Sequence, residues 1–294
     1  RLIGNIIHDV ISDQVFEQVN SSTSGRIAIV DSRLETGWFR STIQLSIEIL
    51  NARQLAEPYY LSLQGTISHG PILVTQPAPS FGLARVDLVA DPVRFESKFA
   101  DIVMDLFTAS VLIKFDQSLS LNLTVPEIEI LNVDKNLASA IDELDVQLDI
   151  QEDLSALAYI KADEVSFYNN QSDMELMFID PSLSAKTSIL GQTPTASRIR
   201  LKIPTVDAYD PYSFNASNID FKWRSDPSII RPGLTDFSQD IQISRIESGL
   251  PLEAISWKSE IKGIKQELIT SYKKMLQGMQ YKAGADPILN ISEL

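Results

Sequence analysis

The 294-residue chain is 44% hydrophobic and carries a net charge of −14, from 25 Lys and Arg against 39 Asp and Glu. That apolar content suits one large core or two smaller ones, while the acidic field argues against nucleic-acid binding and against unassisted docking to an anionic membrane. Cysteine is absent, which removes disulfides, thiol catalysis and cysteine-ligated zinc or iron–sulfur centres together.

Residues 2–19 place Leu2, Ile3, Ile6, Ile7, Val10, Ile11, Val15 and Val19 at helical spacing, which predicts an amphipathic helix. The polar run Asn20-Ser21-Ser22-Thr23-Ser24-Gly25 ends it. No apolar run in the chain approaches the roughly 18 residues of a membrane-spanning helix. The chain opens inside the amphipathic segment without Met or a signal-peptide pattern, so upstream residues, an anchor among them, are expected before Arg1. Strands follow at 26–34, 42–50, 59–68 and 83–90, and their short connections predict an antiparallel meander. In the second, Ile43, Leu45, Ile47 and Ile49 alternate with Gln44, Ser46 and Glu48, the period of a strand with one buried face. Gly37-Trp38-Phe39 reads as a tight entry that delivers two aromatics together.

Asp91-Pro92 has the composition of an N-cap and first turn, and Phe95, Phe99, Ile102, Val103 and Leu106 continue at helical spacing. This predicts a second helix over 92–107, packed across the sheet. Strand signals resume at 111–115 and in Leu119, Leu121, Leu123 and Val125, interleaved with Ser118, Ser120, Asn122 and Thr124. The stretch 127–153 holds nine acidic residues against the single Lys135, which makes it a candidate boundary, with a short helix predicted around 136–144. Further strands are predicted at 165–168, 174–179, 183–189, 199–203, 214–223, 241–246 and 254–257. Arg198, Arg200 and Lys202 lie opposite Ile199, Leu201 and Ile203, the pattern of an exposed sheet face or a charge-guarded edge. A third amphipathic helix is predicted over 259–281, where Ile261, Ile264, Leu268, Ile269, Tyr272, Met275, Leu276 and Met279 form the apolar stripe and lysines the polar side. Gly284 and Pro287 stop it. There is no fixed-period repeat, only recurring alternation.

Catalytic signatures are sparse. No Gly-x-Ser-x-Gly elbow occurs, His8 and His69 are the only imidazoles, and Ser-x-x-Lys spacing at Ser259–Lys262 and Ser271–Lys274 lacks its companion motifs. Glu127 and Glu129 would share one side of a strand, the raw material of a glycosidase pair, but solvated carboxylates are the simpler reading in so acidic a chain. Asp207, Asp210, Asn215, Asn218 and Asp220 could cage calcium, yet their spacing fits an Asx-rich turn better. No Gly-rich phosphate loop is present. The stripe with Leu268, Tyr272 and Met275 suits a membrane surface or a partner groove, although packing on the sheet is the commoner use of such a stripe. Trp38 and Phe39 face the same choice between core and contact site, and His69 before Gly70-Pro71 is explained equally by a Gly-Pro turn.

Three ordered signatures, Gly37-Trp38-Phe39-Arg40-Ser41-Thr42, Ser68-His69-Gly70-Pro71-Ile72-Leu73 and Gly82-Leu83-Ala84-Arg85-Val86-Asp87, resemble those of the YdgA-like bacterial envelope proteins, a family of unknown function. The resemblance covers residues 1–90. It implies a periplasmic protein tethered to the inner membrane upstream of Arg1, and it supplies no catalytic residue.

The expectation is an α+β, mainly β protein: elongated, curved antiparallel sheets with amphipathic helices at 2–19, 92–107 and 259–281. Two regions, 1–130 and 131–294, are expected, or one continuous domain. The leading function is a non-enzymatic envelope protein that binds a lipid-like or peptide ligand, or a protein partner, in an apolar sheet groove. A module self-associating through the C-terminal helix and a carbohydrate- or peptidoglycan-active enzyme are the alternatives. No cofactor, metal or nucleic acid is expected; the candidate contacts are Trp38, Phe39, His69, Leu268, Tyr272 and Met275.

Overall fold

Period-2 alternation runs through most of the chain, and the computed structural model turns it into strands. It describes residues 27–49, 59–73, 80–96, 100–132, 137–190, 193–209, 213–228, 233–247 and 254–265, and every element among them is a β-strand.

β1 (Ile27–Glu35), β2 (Arg40–Ile49) and β3 (Tyr59–His69) are antiparallel neighbours in chain order. A small hairpin, β4 (Ile72–Leu73) with β5 (Ser80–Phe81), precedes β6 (Ala84–Ala90), which returns to β3. β6 and β7 (Val93–Glu96) are halves of one strand and pair with β9 (Phe107–Ile113) and β8 (Ala100–Met104), the halves of the next. The unbroken β10 (Leu119–Asn132) covers both halves and pairs onward with β11 (Leu137–Ile150). The device recurs. β12 (Ala156–Lys161) and β13 (Glu164–Asn169) share the far edge of β11, β15 (Ser182–Leu190) and β14 (Met174–Ile179) lie beside them, and β16 (Thr193–Tyr209) spans both. β17 (Phe214–Pro227), β18 (Leu234–Glu247) and β19 (Ile255–Lys265) complete the order. Eight of the seventeen strands are halves of four broken ones, so the main sheet is an antiparallel meander of thirteen positions. At roughly 4.8 Å per strand it is about 55–60 Å long.

The breaks align across the sheet. Asp91-Pro92 lies opposite Asp105-Leu106, and beyond them come Pro126, Glu143, Ala162-Asp163, Asp180-Pro181, Pro204, Asn218 and Ser244, each facing the next by register. Proline cannot donate to a ladder, so it sits where the ladder is already interrupted. Glu143, Asp180 and Asn218 take φ of 48°, 52° and 54°, the left-handed geometry of a bulge. Hydrogen bonds between neighbouring strands nevertheless continue along the line: Asp105 N donates to Glu127 O at 3.0 Å, Asp163 N to Asp142 O at 2.9 Å and Asp180 N to Asp163 O at 2.8 Å. The line is a crease in a continuous sheet.

At the crease every strand slips phase by one residue. Ala90 and Val93, Met104 and Phe107, Val125 and Ile128, Ile141 and Leu144, Ala162 and Val165, Ile203 and Val206, Ala216 and Ile219, and Ile243 and Ile246 are spaced i,i+3 yet lie on the same face. Without the slip, alternation would send one half of each strand's apolar residues to the opposite face. Ala90, Val93, Val125, Ala162, Val206, Ala216 and Ile246 are buried, so the sheet bends toward this face. Val206, Ala216 and Ile246 form a core against Ile203, Ile219 and Ile243 on one side of the crease and Leu176, Phe178 and Phe214 on the other. A second buried group, Ile43, Leu63 and Ile67, lies on β2 and β3. There Gly65 permits a close approach, since a Cβ would strike the Asp87 carbonyl oxygen.

The α+β expectation is corrected to an all-β architecture among the described residues. The helix expected at 92–107 is β7, β8 and the start of β9, with Phe95 paired to Ile102, and the one expected at 136–144 is part of β11. The causes differ: at 92–107 apolar residues of two antiparallel strands, such as Phe95 and Ile102, fall by chance at helical spacing, whereas at 136–144 the one-residue slip makes Ile141 and Leu144 an i,i+3 pair that imitates a helical stripe. The helix expected at 259–281 fails similarly over its described part. Ile261 and Ile264 share a face of β19 because a bulge at Gly263, φ 76°, lies between them, its N–H donating to the Asp236 carboxylate at 2.8 Å. Residues 266–281 and the helix expected at 2–19 lie outside the described residues.

Candidate functional site

Cross-strand partners share a face, so apolar residues line up in lanes perpendicular to the strands. One lane runs Leu34, Ile43, Gly65, Leu88, Ala109, Leu123, Val146, Ile160, Leu183, Leu201, Phe221, Ile241 and Trp257, across all thirteen positions. The next, about 7 Å away along the strands, runs from Ile67 through Val86, Val111, Leu121, Leu148, Ala158, Ala185 and Ile199 to Trp223. Beyond the crease a third joins Val93, Met104, Ile128, Ile141, Val165, Phe178, Val206, Ala216 and Ile246. The two limbs therefore form an apolar trough along the crease. Between its ends most lane residues are only half-buried, as expected of a single-layered sheet.

No charged side chain of the described strands lies on this face. The alternation sends them all to the other face or to the crease. There Arg200 makes two hydrogen bonds to Asp220, at 2.8 and 2.6 Å, and Lys222 pairs with the same carboxylate at 3.0 Å. Hydrogen bonds from Arg200, supported by Lys222 against the cost of burial, hold Asp220 down to about 2. Tyr60 donates to Glu48 at 3.1 Å, Ser120 to Asp149 at 2.5 Å and Thr124 to Asp145 at 2.7 Å. These charges of the outer face are thus paired on that face.

The three signature segments converge at one end of the sheet. His69 N donates to Phe39 O at 3.0 Å, Gly70 N to Leu83 O at 3.3 Å and Leu83 N to Ile113 O at 2.9 Å, while Arg40 pairs with Ser68 and His69 with Ala84. Gly37 N donates to Ser41 Oγ at 3.3 Å, and a Cβ at Gly37 would strike the Arg40 carbonyl oxygen. His69 is 2% exposed with Nε2 3.4 Å from Ser41 Oγ, and burial lowers its pKa, which favours the neutral ring. Trp38 and Phe39 point into solvent instead. The structure brings Phe39 and His69 together through the backbone; Leu268, Tyr272 and Met275, like His8, lie outside the described residues.

The remaining chemical candidates scatter. Glu127 and Glu129 sit on the outer face, where Glu129 first, then burial, Asp142 and Asp105 raise the Glu127 pKa. Asn215 donates to Asp207, Asp220 is committed to Arg200, and Asn218 occupies the crease; Asp210 lies outside the described residues. Ser259 and Lys262 fall on opposite faces of β19. Among the described residues no cluster of three His, Cys, Asp or Glu side chains has the geometry of a metal site.

Sequence reading found the alternation but missed the trough. The signal for it is a proline or Asx residue inside an apolar i,i+3 pair, repeated from strand to strand. No curated protein and no solved structure matches the chain. A family match does cover nearly all of it, residues 3–291, and the chain belongs to that family, described as bacterial protein of unknown function (DUF945).

Proposed function

We propose that this is a non-enzymatic periplasmic protein that holds acyl chains of lipid-like molecules in the trough. The observation that carries the reading is the continuous apolar face without a charged side chain, in a protein with 64 charged residues. Each methylene removed from water contributes about 0.8 kcal/mol, so ten methylenes laid along the lanes gain about 8 kcal/mol before the cost of ordering the chain. The shape supports a linear ligand rather than a compact one. Ser41 and His69, the one serine–histidine contact on this face among the described residues, are buried against each other and out of a ligand's reach. Bacterial membership and the signature segments support placement in the envelope.

Native mass spectrometry of the purified protein and titration with a fluorescent fatty acid test this reading. Co-purifying amphiphile, or saturable uptake weakened about tenfold or more by Leu201→Glu but not by Lys202→Glu on the opposite face, is expected. No bound amphiphile together with no uptake would sink it.

A further inference from the structure

The turns along one long rim of the sheet differ from an ordinary protein surface. Trp38 and Phe39 lie between β1 and β2, Ile72 and Phe81 between β3 and β6, Phe115 between β9 and β10, and Leu154 between β11 and β12; all four turns fall at the same ends of the strands. These side chains are 77, 71, 57, 72, 56 and 58% exposed, six of the nine large apolar residues that are more than half exposed among the described ones. The first three turns are laced together, because the Phe39 ring lies against Gly70, Gly70 N donates to Leu83 O, and Leu83 N donates to Ile113 O. Leu154 is held at φ 64°, a left-handed position that a branched apolar residue rarely takes. The described turn on the opposite rim, Asn170-Gln171-Ser172-Asp173, is wholly polar.

We propose that this rim docks on a phospholipid bilayer with zwitterionic headgroups, its apolar tips entering the interfacial layer so that an acyl chain crosses the lip into the trough. Two features select that occupant. Contiguous exposed apolar groups mark an interaction surface, and Trp and Phe are the side chains favoured at the depth of the headgroups. The same turns carry Asp116, Glu152 and Asp153 against one cation, Lys114, and Asp116 and Asp153 are fixed there by accepting from the backbone N–H groups of Ser118 and Ser155 at 3.0 and 2.9 Å. Their charge disfavours an anionic surface. The rim also continues into the apolar face, since Ile113 pairs with Leu119 and Leu119 with Ile150. Passage over the lip rests on the acyl-binding reading; docking itself does not.

The test is flotation of the full chain with phosphatidylcholine vesicles, with and without added phosphatidylglycerol. The protein should float with phosphatidylcholine and less well when the anionic lipid is added. The variant Trp38→Ser/Phe81→Ser/Phe115→Ser/Leu154→Ser should partition about tenfold less or weaker still, keep its melting temperature because these side chains are exposed, and keep its uptake of monomeric fluorescent fatty acid. A wild-type protein that stays at the bottom of both gradients, or a variant that floats equally well, overturns docking. Rim-dependent self-association in ultracentrifugation without flotation overturns it too, and makes the rim a protein interface. Failed flotation with intact uptake removes the rim proposal alone, whereas failed uptake removes the trough.

Discussion

Deleting Asn218 tests whether the crease keeps the two faces apart. The residue lies between Pro204 on β16 and Ser244 on β18, at φ 54°, and it lets Ala216 and Ile219 share a face. Without it, Pro204 and Ser244 still place a crease on either side, so Ile219 is drawn into the vacant position and residues 220–227 move by one in register. Phe221 and Trp223 then turn outward, and Asp220, Lys222 and Arg224 turn onto the apolar face. Phe221 and Trp223 are half-buried in the protein, so exposing them costs about 1 kcal/mol each, half the value for full burial. Placing three charges on the apolar face, with the Arg200–Asp220 pair broken, adds about 1 kcal/mol or more for each. A total of about 5 kcal/mol or more is comparable to the net stability of a whole domain. Thermal and urea unfolding followed by circular dichroism should show the deletion unfolded or grossly destabilised. Asn218→Gly keeps the left-handed geometry and should stay within about 0.5 kcal/mol of wild type, whereas Asn218→Val should lose about 1–2 kcal/mol. A deletion protein that melts within about 2 °C of wild type, less than 1 kcal/mol at this size, would refute the crease as the device that holds the faces.

Two further outcomes follow from the packing. Asp220 is held at about 2 against an ordinary 3.8, so its contribution is complete above pH 4 and is lost as the pH falls from about 4 to 2. The full shift corresponds to about 2.5 kcal/mol; with the Arg200 side chain 43% exposed, screening reduces this to about 1–1.5 kcal/mol, and Asp220→Asn should flatten the acid limb of a stability–pH curve by that amount. Gly65→Ala would drive a methyl into the Asp87 carbonyl and to 2.8 Å from Leu88 Cδ2. A loss of about 2 kcal/mol or more is expected in urea titration, and an unchanged midpoint would show that β3 and β6 approach less closely than described.

The crease also bears on how such a protein avoids collapse. A flat one-layered sheet of this length would leave its apolar face uncovered, and bending gives each limb a partner in the other. Burial is deep along the fold line, at Ala90, Val93, Val125 and Ala216, and again where the first turns close over His69, Leu73 and Ser118. The part of that face which the described residues leave half-buried is the trough of the proposed function. The edge strand β19 carries Lys258, Lys262 and Lys265 on its outer face, the kind of charge that blunts edge-to-edge pairing.

The sequence by itself determined most of the strands and which residues share a face within each, because period-2 alternation is a local property. Leu119 to Val125 and Ile199 to Ile203 show this plainly. Segregation of charge onto one face was equally legible at Arg198, Arg200 and Lys202. The short connections already implied a meander. The aligned slips were not legible, because one break at Pro126 or Asn218 looks like a strand end or a turn, and only pairing with neighbours shows nine such breaks forming a single line. The same ambiguity made the i,i+3 pair Ile261 and Ile264 resemble a helix. The tertiary structure alone decided that the chain's apolar faces form one trough, that His69 is buried while Trp38 and Phe39 stand in solvent, and that turns far apart in sequence share a rim. Those are relations between strands, set by register and bending, and no local pattern encodes them.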